Sequence, residues 1–358
     1  MLFLSEREKT GWAEIARDIA VNNTSPSAFS GEIRSNLIPA FYFYTGALLA
    51  SQGRVPDGLE WLEAGAVLEE DGLFSSGFLV GYIHRRNGTF SRPAEIFSDP
   101  RHFIHFAGVP AMKDARRRFI HQCGHSLPSF TGKEFSLMDI GCGDGGLTTS
   151  LLEHLQDTGK VNRIGEVLLI DPSPAMAGLA ASTVQSAFPE TRVITANMRI
   201  EDFTQSPGRH YDVALSSLAY HHMPLEEKRV RLDMLKPWID HFVLFELDAN
   251  NDTPECHTPE LALSLYQSYG RIIDFVFSHD APVDVAVGCV DSFLMAELVS
   301  LLSEPRGART DYHMLKSQWT DLFCSSLGPE FTLRSDSSCY ADDYISLFSL
   351  HYGREGQE

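Results

Sequence analysis

The sequence predicts an α/β fold: a doubly wound, mostly parallel sheet of seven strands, preceded by a helical region and interrupted late in the chain by more helices. Three observations carry this. From Phe135 onward, apolar runs of strand length alternate with helical stretches, which is the rhythm of a parallel sheet covered on both faces. Residues 1–120 lack that rhythm and show helical spacing only. Two strand-like runs close the chain with no crossover between them, which predicts an antiparallel hairpin at one sheet edge.

The elements follow in order. Trp12, Ile15, Ile19 and Ala20 recur at helical spacing after Gly11. Helices are predicted at Ile38–Gln52, Leu59–Leu68 and Phe74–His84, divided by glycine-rich turns, and at Pro110–Cys123. The parallel strands are Phe135–Ile140, Val167–Ile170, Arg192–Ala196, Tyr211–Leu215 and Phe242–Leu247. Helices at Leu147–Gln156, Pro174–Ala187 and Leu225–Leu235 connect them. Leucines and aromatics then give residues 258–305 a helical character. A helix at Leu315–Leu327 and strands at Phe331–Arg334 and Tyr344–Leu350 complete the sheet.

The 358 residues are 43% hydrophobic, enough for one large domain or one large and one smaller. The net charge of −19 opposes a phosphate backbone and an anionic membrane, so neither nucleic acid nor membrane is an expected partner. Arg116-Arg117-Arg118 is the one compact basic run and reads as the solvated face of a helix. No apolar run reaches the ~18 residues of a spanning helix, and the apolar start is too short for a signal-peptide core. The six cysteines are scattered without a Cys-x-x-Cys pair, as in reduced cytoplasmic proteins.

Four segments carry chemistry. In Asp139-Ile140-Gly141-Cys142-Gly143-Asp144-Gly145-Gly146 a strand runs into a glycine-rich turn and then a helix. Glycine lets the backbone turn sharply and approach a ligand. Dinucleotide sites space their glycines to cradle a pyrophosphate. Here Asp144 stands inside the loop, which opposes a diphosphate and suits a cationic ligand. The second segment is Val167 to Met176. Asp171 ends its strand, where an acid accepts both hydroxyls of a ribose. Pro172 and Pro174 lead into the next helix. Asp171 lies 26 residues after Gly145, where ~20 is typical; the polar stretch 156–166 supplies the excess as a loop. The third segment, Thr195 to Phe203, follows the third strand and offers Asn197 and Met198. The fourth, Tyr211 to His222, runs past Ser217 to Tyr220, His221 and His222. Ligands of such sheets bind beyond the strands' carboxyl ends, so both segments line the expected site. Adjacent histidines diverge, so His221-His222 reads as packing or substrate contact and not as a chelating pair.

These four segments resemble the class I S-adenosylmethionine-dependent methyltransferases, over roughly residues 115–350. The resemblance implies that Asp139, Gly141, Gly143 and Asp144 hold the methionine part. It assigns Asp171 to the ribose, Pro172, Met176 and Ser217 to the cofactor, Asn197 and Met198 to the adenine, and the chain from Leu215 to His222 to both cofactor and substrate. S-adenosylhomocysteine is then the product. A commoner acid is replaced by Asn197. A second resemblance begins at Val243-Leu244-Phe245-Glu246-Leu247-Asp248-Ala249-Asn250-Asn251 and Pro259 to Tyr266, which are similar to the GRAS domain. That domain occurs in plant regulators and in bacterial relatives thought to methylate small molecules. It implies a helical cap at about 256–310 inserted into a methyltransferase domain of residues 116–358, with residues 1–115 as a lid or dimerisation region and a homodimer as the expected assembly.

The acceptor is expected to be a small molecule with an oxygen, nitrogen or carbon nucleophile. Glu246, His257 and His313 are the candidate bases, with Asp248 and Asp311 beside them; Tyr44 heads the aromatics that would wall a substrate pocket. No resident metal is expected. His257 and His313 remain the pair that would hold one if the substrate were an α-keto acid methylated at carbon. A non-catalytic ligand-binding module and a nicotinamide dehydrogenase are the competing readings.

Overall fold

The computed structural model describes residues 2–93, 99–203 and 208–356. Its helices are α1 (Glu6–Asn22), α2 (Ile38–Ser51), α3 (Val55–Ala66), α4 (Ser76–Arg85), α5 (Pro100–Gly108), α6 (Pro110–Ser126), α7 (Gly146–Asp157), α8 (Pro174–Ala187), α9 (Leu225–Leu235), α10 (Pro259–Ser278), α11 (Val283–Cys289), α12 (Met295–Ser303) and α13 (Lys316–Leu327). The strands are β1 (Phe135–Ile140), β2 (Ile164–Ile170), β3 (Arg192–Ala196), β4 (Tyr211–Ser217), β5 (Ile239–Leu247), β6 (Phe331–Ala341) and β7 (Ser346–Arg354). They form one sheet in the order β3-β2-β1-β4-β5-β7-β6. β1 to β5 run parallel, and β7 lies antiparallel to both β5 and β6. The expected α/β architecture, with its doubly wound sheet and edge hairpin, is therefore the one observed.

Differences from the sequence reading have local causes. β2 starts three residues early because Glu166, which reads as loop, is buried in the strand. Its carboxylate takes Arg209 at 2.9 Å, Arg192 at 3.2 Å and the Tyr211 hydroxyl at 2.9 Å. β6 continues through the polar run Ser335–Ser338 because it is the sheet's edge, where one face is wet and two register shifts break the ladder. β7 starts two residues late. Asp342 accepts the backbone N–H of Tyr344 and of Ile345 and folds them into a turn. α5 is absent from the sequence reading; Asp99 caps it by accepting the Arg101 N–H.

The chain divides into two units. One gathers Met1–Ile96, Ala249–Tyr312 and Asp342–Ile345. The other gathers Phe97–Asp248, His313–Ala341 and Ser346–Glu358, and contains the sheet. In the helical unit, α2 buries Phe41, Phe43 and Tyr44. Trp12, Phe29, Phe41 and Trp61 pack ring to ring, so the aromatic run is core. The helical stretch Val283–Ser303, with a π-turn between α11 and α12, is long and apolar enough to cross a membrane. Most of it is buried inside the fold, as in a core helix. In the sheet unit, Met138, Ile140, Tyr220, Phe242, Trp319, Phe323 and Tyr352 belong to one apolar core. All six cysteines are free.

Candidate active site

The parallel register brings the carboxyl ends of the central strands side by side. Ile140 pairs with Ile170 and Ser216, and Ser217 with Phe245. The loops leaving β1, β2, β4 and β5 therefore open on one edge, where such sheets bind ligands.

The β1 loop depends on three glycines. Gly141, Gly143 and Gly145 have φ of +76°, +54° and +75°, a region that side chains disfavour. Space excludes a Cβ as well: one on Gly141 would overlap the Ala219 methyl group, and one on Gly145 would come within 2.8 Å of Ala180 Cα. Asp139 is buried beneath the loop and accepts the Thr148 hydroxyl of α7. Burial raises its carboxyl to about 7, against the pull of that hydrogen bond. Asp144 accepts the N–H of Gly146, the first residue of α7, at 3.0 Å.

Asp171 ties two loops together. Its Oδ2 accepts the Gly143 N–H at 3.1 Å and its Oδ1 the Ser173 N–H at 2.8 Å. Each oxygen keeps a second lone pair for a ligand. Asn197 donates its amide to the Asp171 carbonyl at 3.0 Å and braces the end of β2. Met198 and Pro172 are exposed and Met176 is buried in α8.

Arg116 is a residue the sequence reading misplaced. Arg117 and Arg118 are exposed, but Arg116 turns inward from α6, and its buried Nε has no hydrogen-bond partner among the described residues. Its guanidinium lies 5.9 Å from the Phe103 ring of α5. Phe103 in turn sits against Gly143. Burial lowers the Arg116 pKa, while Asp144 and Asp139 pull it upward. A run of three arginines gives no hint of which one faces in. The helical phase of α6 decides that.

Beyond β4, Leu218 adopts φ +50° and donates its N–H to the Phe245 carbonyl at 2.9 Å. A leucine in the left-handed region is uncommon and concentrates at functional turns. Here it throws Ala219 against Gly141 and turns His221 inward, while His222 is exposed. Tyr220 is fully buried against Phe242 and Trp319.

His221 meets Glu246 from the end of β5, with Nδ1 2.9 Å from Oε2 and 3.1 Å from Oε1. His313 joins them, its Nδ1 3.8 Å from the same Oε2. Burial lowers His221 to about 4 despite the attraction of Glu246. Burial alone would raise Glu246, but His221 and then His313 bring it well below the usual carboxylate range. Asp248 accepts the Lys316 N–H at 2.9 Å and caps α13.

The two remaining candidates belong to the helical unit and meet each other. Tyr44 donates its hydroxyl to the His257 carbonyl at 3.1 Å, and His257 Nε2 lies 3.0 Å from Ser51 Oγ. Both line one small hollow with Leu48 and Leu261. Asp311 accepts the hydroxyl of its neighbour Thr310.

Residues 138–241 match the methyltransferase-domain family. The chain carries a class I S-adenosylmethionine-dependent methyltransferase domain. No curated protein matches its sequence. Among solved structures, SCL7 of Oryza sativa shares the fold of this chain, with a TM-score of 0.56 at 14% identity over 96% of this chain and 98% of that one. Lesser likenesses, each with a TM-score of 0.41, are the plantazolicin methyltransferase BpumL in complex with SAH and the magnesium protoporphyrin IX methyltransferase of Synechocystis PCC 6803 with bound SAH. BpumL is 15% identical over 72% of this chain and 92% of its own. The Synechocystis protein is 13% identical over 78% and 95%.

Proposed function

We propose that this protein transfers a methyl group from S-adenosylmethionine to a small-molecule acceptor that carries a removable proton. One observation carries the reading: the β1 loop turns on three left-handed glycines, and the middle one, Gly143, donates its N–H to Asp171 across the mouth of β1 and β2.

The residues present fit that cofactor. Asp139, Asp144 and Asp171 make the mouth acidic, which suits a sulfonium and an ammonium. Arg116 offers an unsatisfied cationic donor there for the methionine carboxylate. Asp171 retains acceptor capacity for ribose hydroxyls. Asn197 and Met198 follow β3, where the adenine would lie. Bound there, the cofactor supplies an electrophilic methyl group and its own leaving group. The protein's tasks are then to align the acceptor and take its proton.

Glu246 and His221 serve the second task. The carboxylate holds the imidazole through Nδ1 and fixes the orientation of its ring. Low hydration keeps that imidazole neutral at neutral pH, the state a base needs.

Calorimetric titration with S-adenosylhomocysteine tests the cofactor assignment. The protein should bind it, and Asp171→Ala should bind at least tenfold more weakly. No binding by the unaltered protein refutes the assignment. Binding without release of S-adenosylhomocysteine from S-adenosylmethionine, across a panel of hydroxyl, amine and keto acids, would instead favour a non-catalytic GRAS-like module.

A further inference from the structure

The His221–Glu246–His313 cluster has the composition and spacing of a metal site. The three residues come from the turn after β4, the end of β5 and the segment before α13. Their potential ligand atoms all lie within 4.8 Å of one another, and all three side chains are buried. Nitrogen and oxygen donors bind zinc-like ions at about 2.0–2.2 Å, which places tetrahedral donors roughly 3.3–3.6 Å apart. The two nitrogen–oxygen separations at Oε2 are 2.9 and 3.8 Å and bracket that value.

Two independent features point to an occupant. His313 is 4% exposed, yet its buried Nδ1 makes no hydrogen bond; buried ring nitrogens are normally satisfied. Glu246 is completely buried, and its ion-pair partners among the described residues are these two imidazoles. A fully buried carboxylate calls for a cation beside it.

We propose that His221, Glu246 and His313 bind one divalent transition-metal ion, of the zinc or iron(II) class. Two imidazoles and one carboxylate occupy one face of the ion and leave further positions open. The open positions suit a small acceptor that chelates through two oxygens, such as a hydroxy or keto carboxylate. The ion takes the place of the proton between His221 and Glu246; with it bound, His221 is a ligand and the ion takes over the base's task proposed above for His221. The acceptor's hydroxyl then gives its proton to a hydroxide held by the ion, forming water, and its oxygen takes the vacated position. This site uses His313, as the sequence suggested, but pairs it with His221 in place of His257. It stands on its own geometry and does not depend on cofactor binding.

Tag-free protein, dialysed against a chelator and titrated with Co2+, tests the proposal. One equivalent should bind and give the visible ligand-field bands of a nitrogen–oxygen site. Glu246→Gln and His313→Ala should each weaken cobalt binding at least tenfold, while His257→Ala and Asp171→Ala leave it unchanged. Circular dichroism establishes that each variant is folded. Absence of bands in the unaltered protein overturns the proposal, as does full cobalt binding by folded His313→Ala. Cobalt binding without S-adenosylhomocysteine binding would uphold the metal site and defeat the cofactor assignment alone.

Discussion

Gly141→Ala tests whether the β1 loop is shaped by its backbone or tolerates a side chain. Two costs are legible in the structure. At φ +76° a Cβ is disfavoured, by about 1–2 kcal/mol. The new methyl group would also overlap that of Ala219, and overpacking of this kind costs about 1–3 kcal/mol. Reduced freedom of the unfolded chain returns about 0.4–1 kcal/mol, which leaves a net loss of roughly 2–4 kcal/mol. The next nearest atom to the added Cβ is Ala219 Cα at 3.6 Å, an ordinary contact. Removing the Ala219 methyl therefore removes the overlap and nothing else. In a double-mutant cycle by urea denaturation, Ala219→Gly should recover about 1–3 kcal/mol in the Gly141→Ala background and leave the dihedral cost behind. A loss below about 1 kcal/mol for Gly141→Ala, or a coupling below about 0.5 kcal/mol, would refute the argument. The same variant should bind S-adenosylhomocysteine less well, because Asp171 holds the loop only two residues further on.

Arg116→Met keeps the bulk of the side chain and removes its charge; it should weaken S-adenosylhomocysteine binding about tenfold, the scale of one charge-assisted contact, with little change in melting temperature. An unchanged dissociation constant in calorimetry would remove Arg116 from the site. Acid should destabilise the sheet unit through His241 and His351, whose Nδ1 and Nε2 lie 3.0 Å apart in the interior. Burial lowers His241 to about 4 and His351 to about 3. The unfolded chain therefore binds protons that the fold refuses, and stability falls as pH drops from about 6.5 to about 4. His241 alone accounts for ~3 kcal/mol of that loss. His351→Gln should flatten the slope of urea midpoint against pH, and an unaltered slope would count against the pair.

Cofactor chemistry was legible in the sequence because it rests on local backbone demands. A strand, a glycine turn and a helix are contiguous, and the acid in the turn can be read against a phosphate ligand without knowing the fold. The strands themselves were legible for a similar reason: a buried parallel sheet imposes apolar runs of strand length. Polar residues inside strands were not legible. Glu166 looks like a loop residue until Arg192, Arg209 and Tyr211 arrive from elsewhere to satisfy it.

Which polar side chains share the buried interior was decided only by tertiary structure. Periodicity cannot say that Arg116 faces inward and Arg117 outward, because all three arginines of the run are equally hydrophilic. Nor can it bring His221 to Glu246 and His313, which lie 25 and 92 residues apart along the chain. The left-handed turn at Leu218, the end of β5 and the approach to α13 do that. Sequence determined what each segment would become on its own; packing decided which side chains share a buried volume, because there the energy of a charge depends on neighbours from distant parts of the chain.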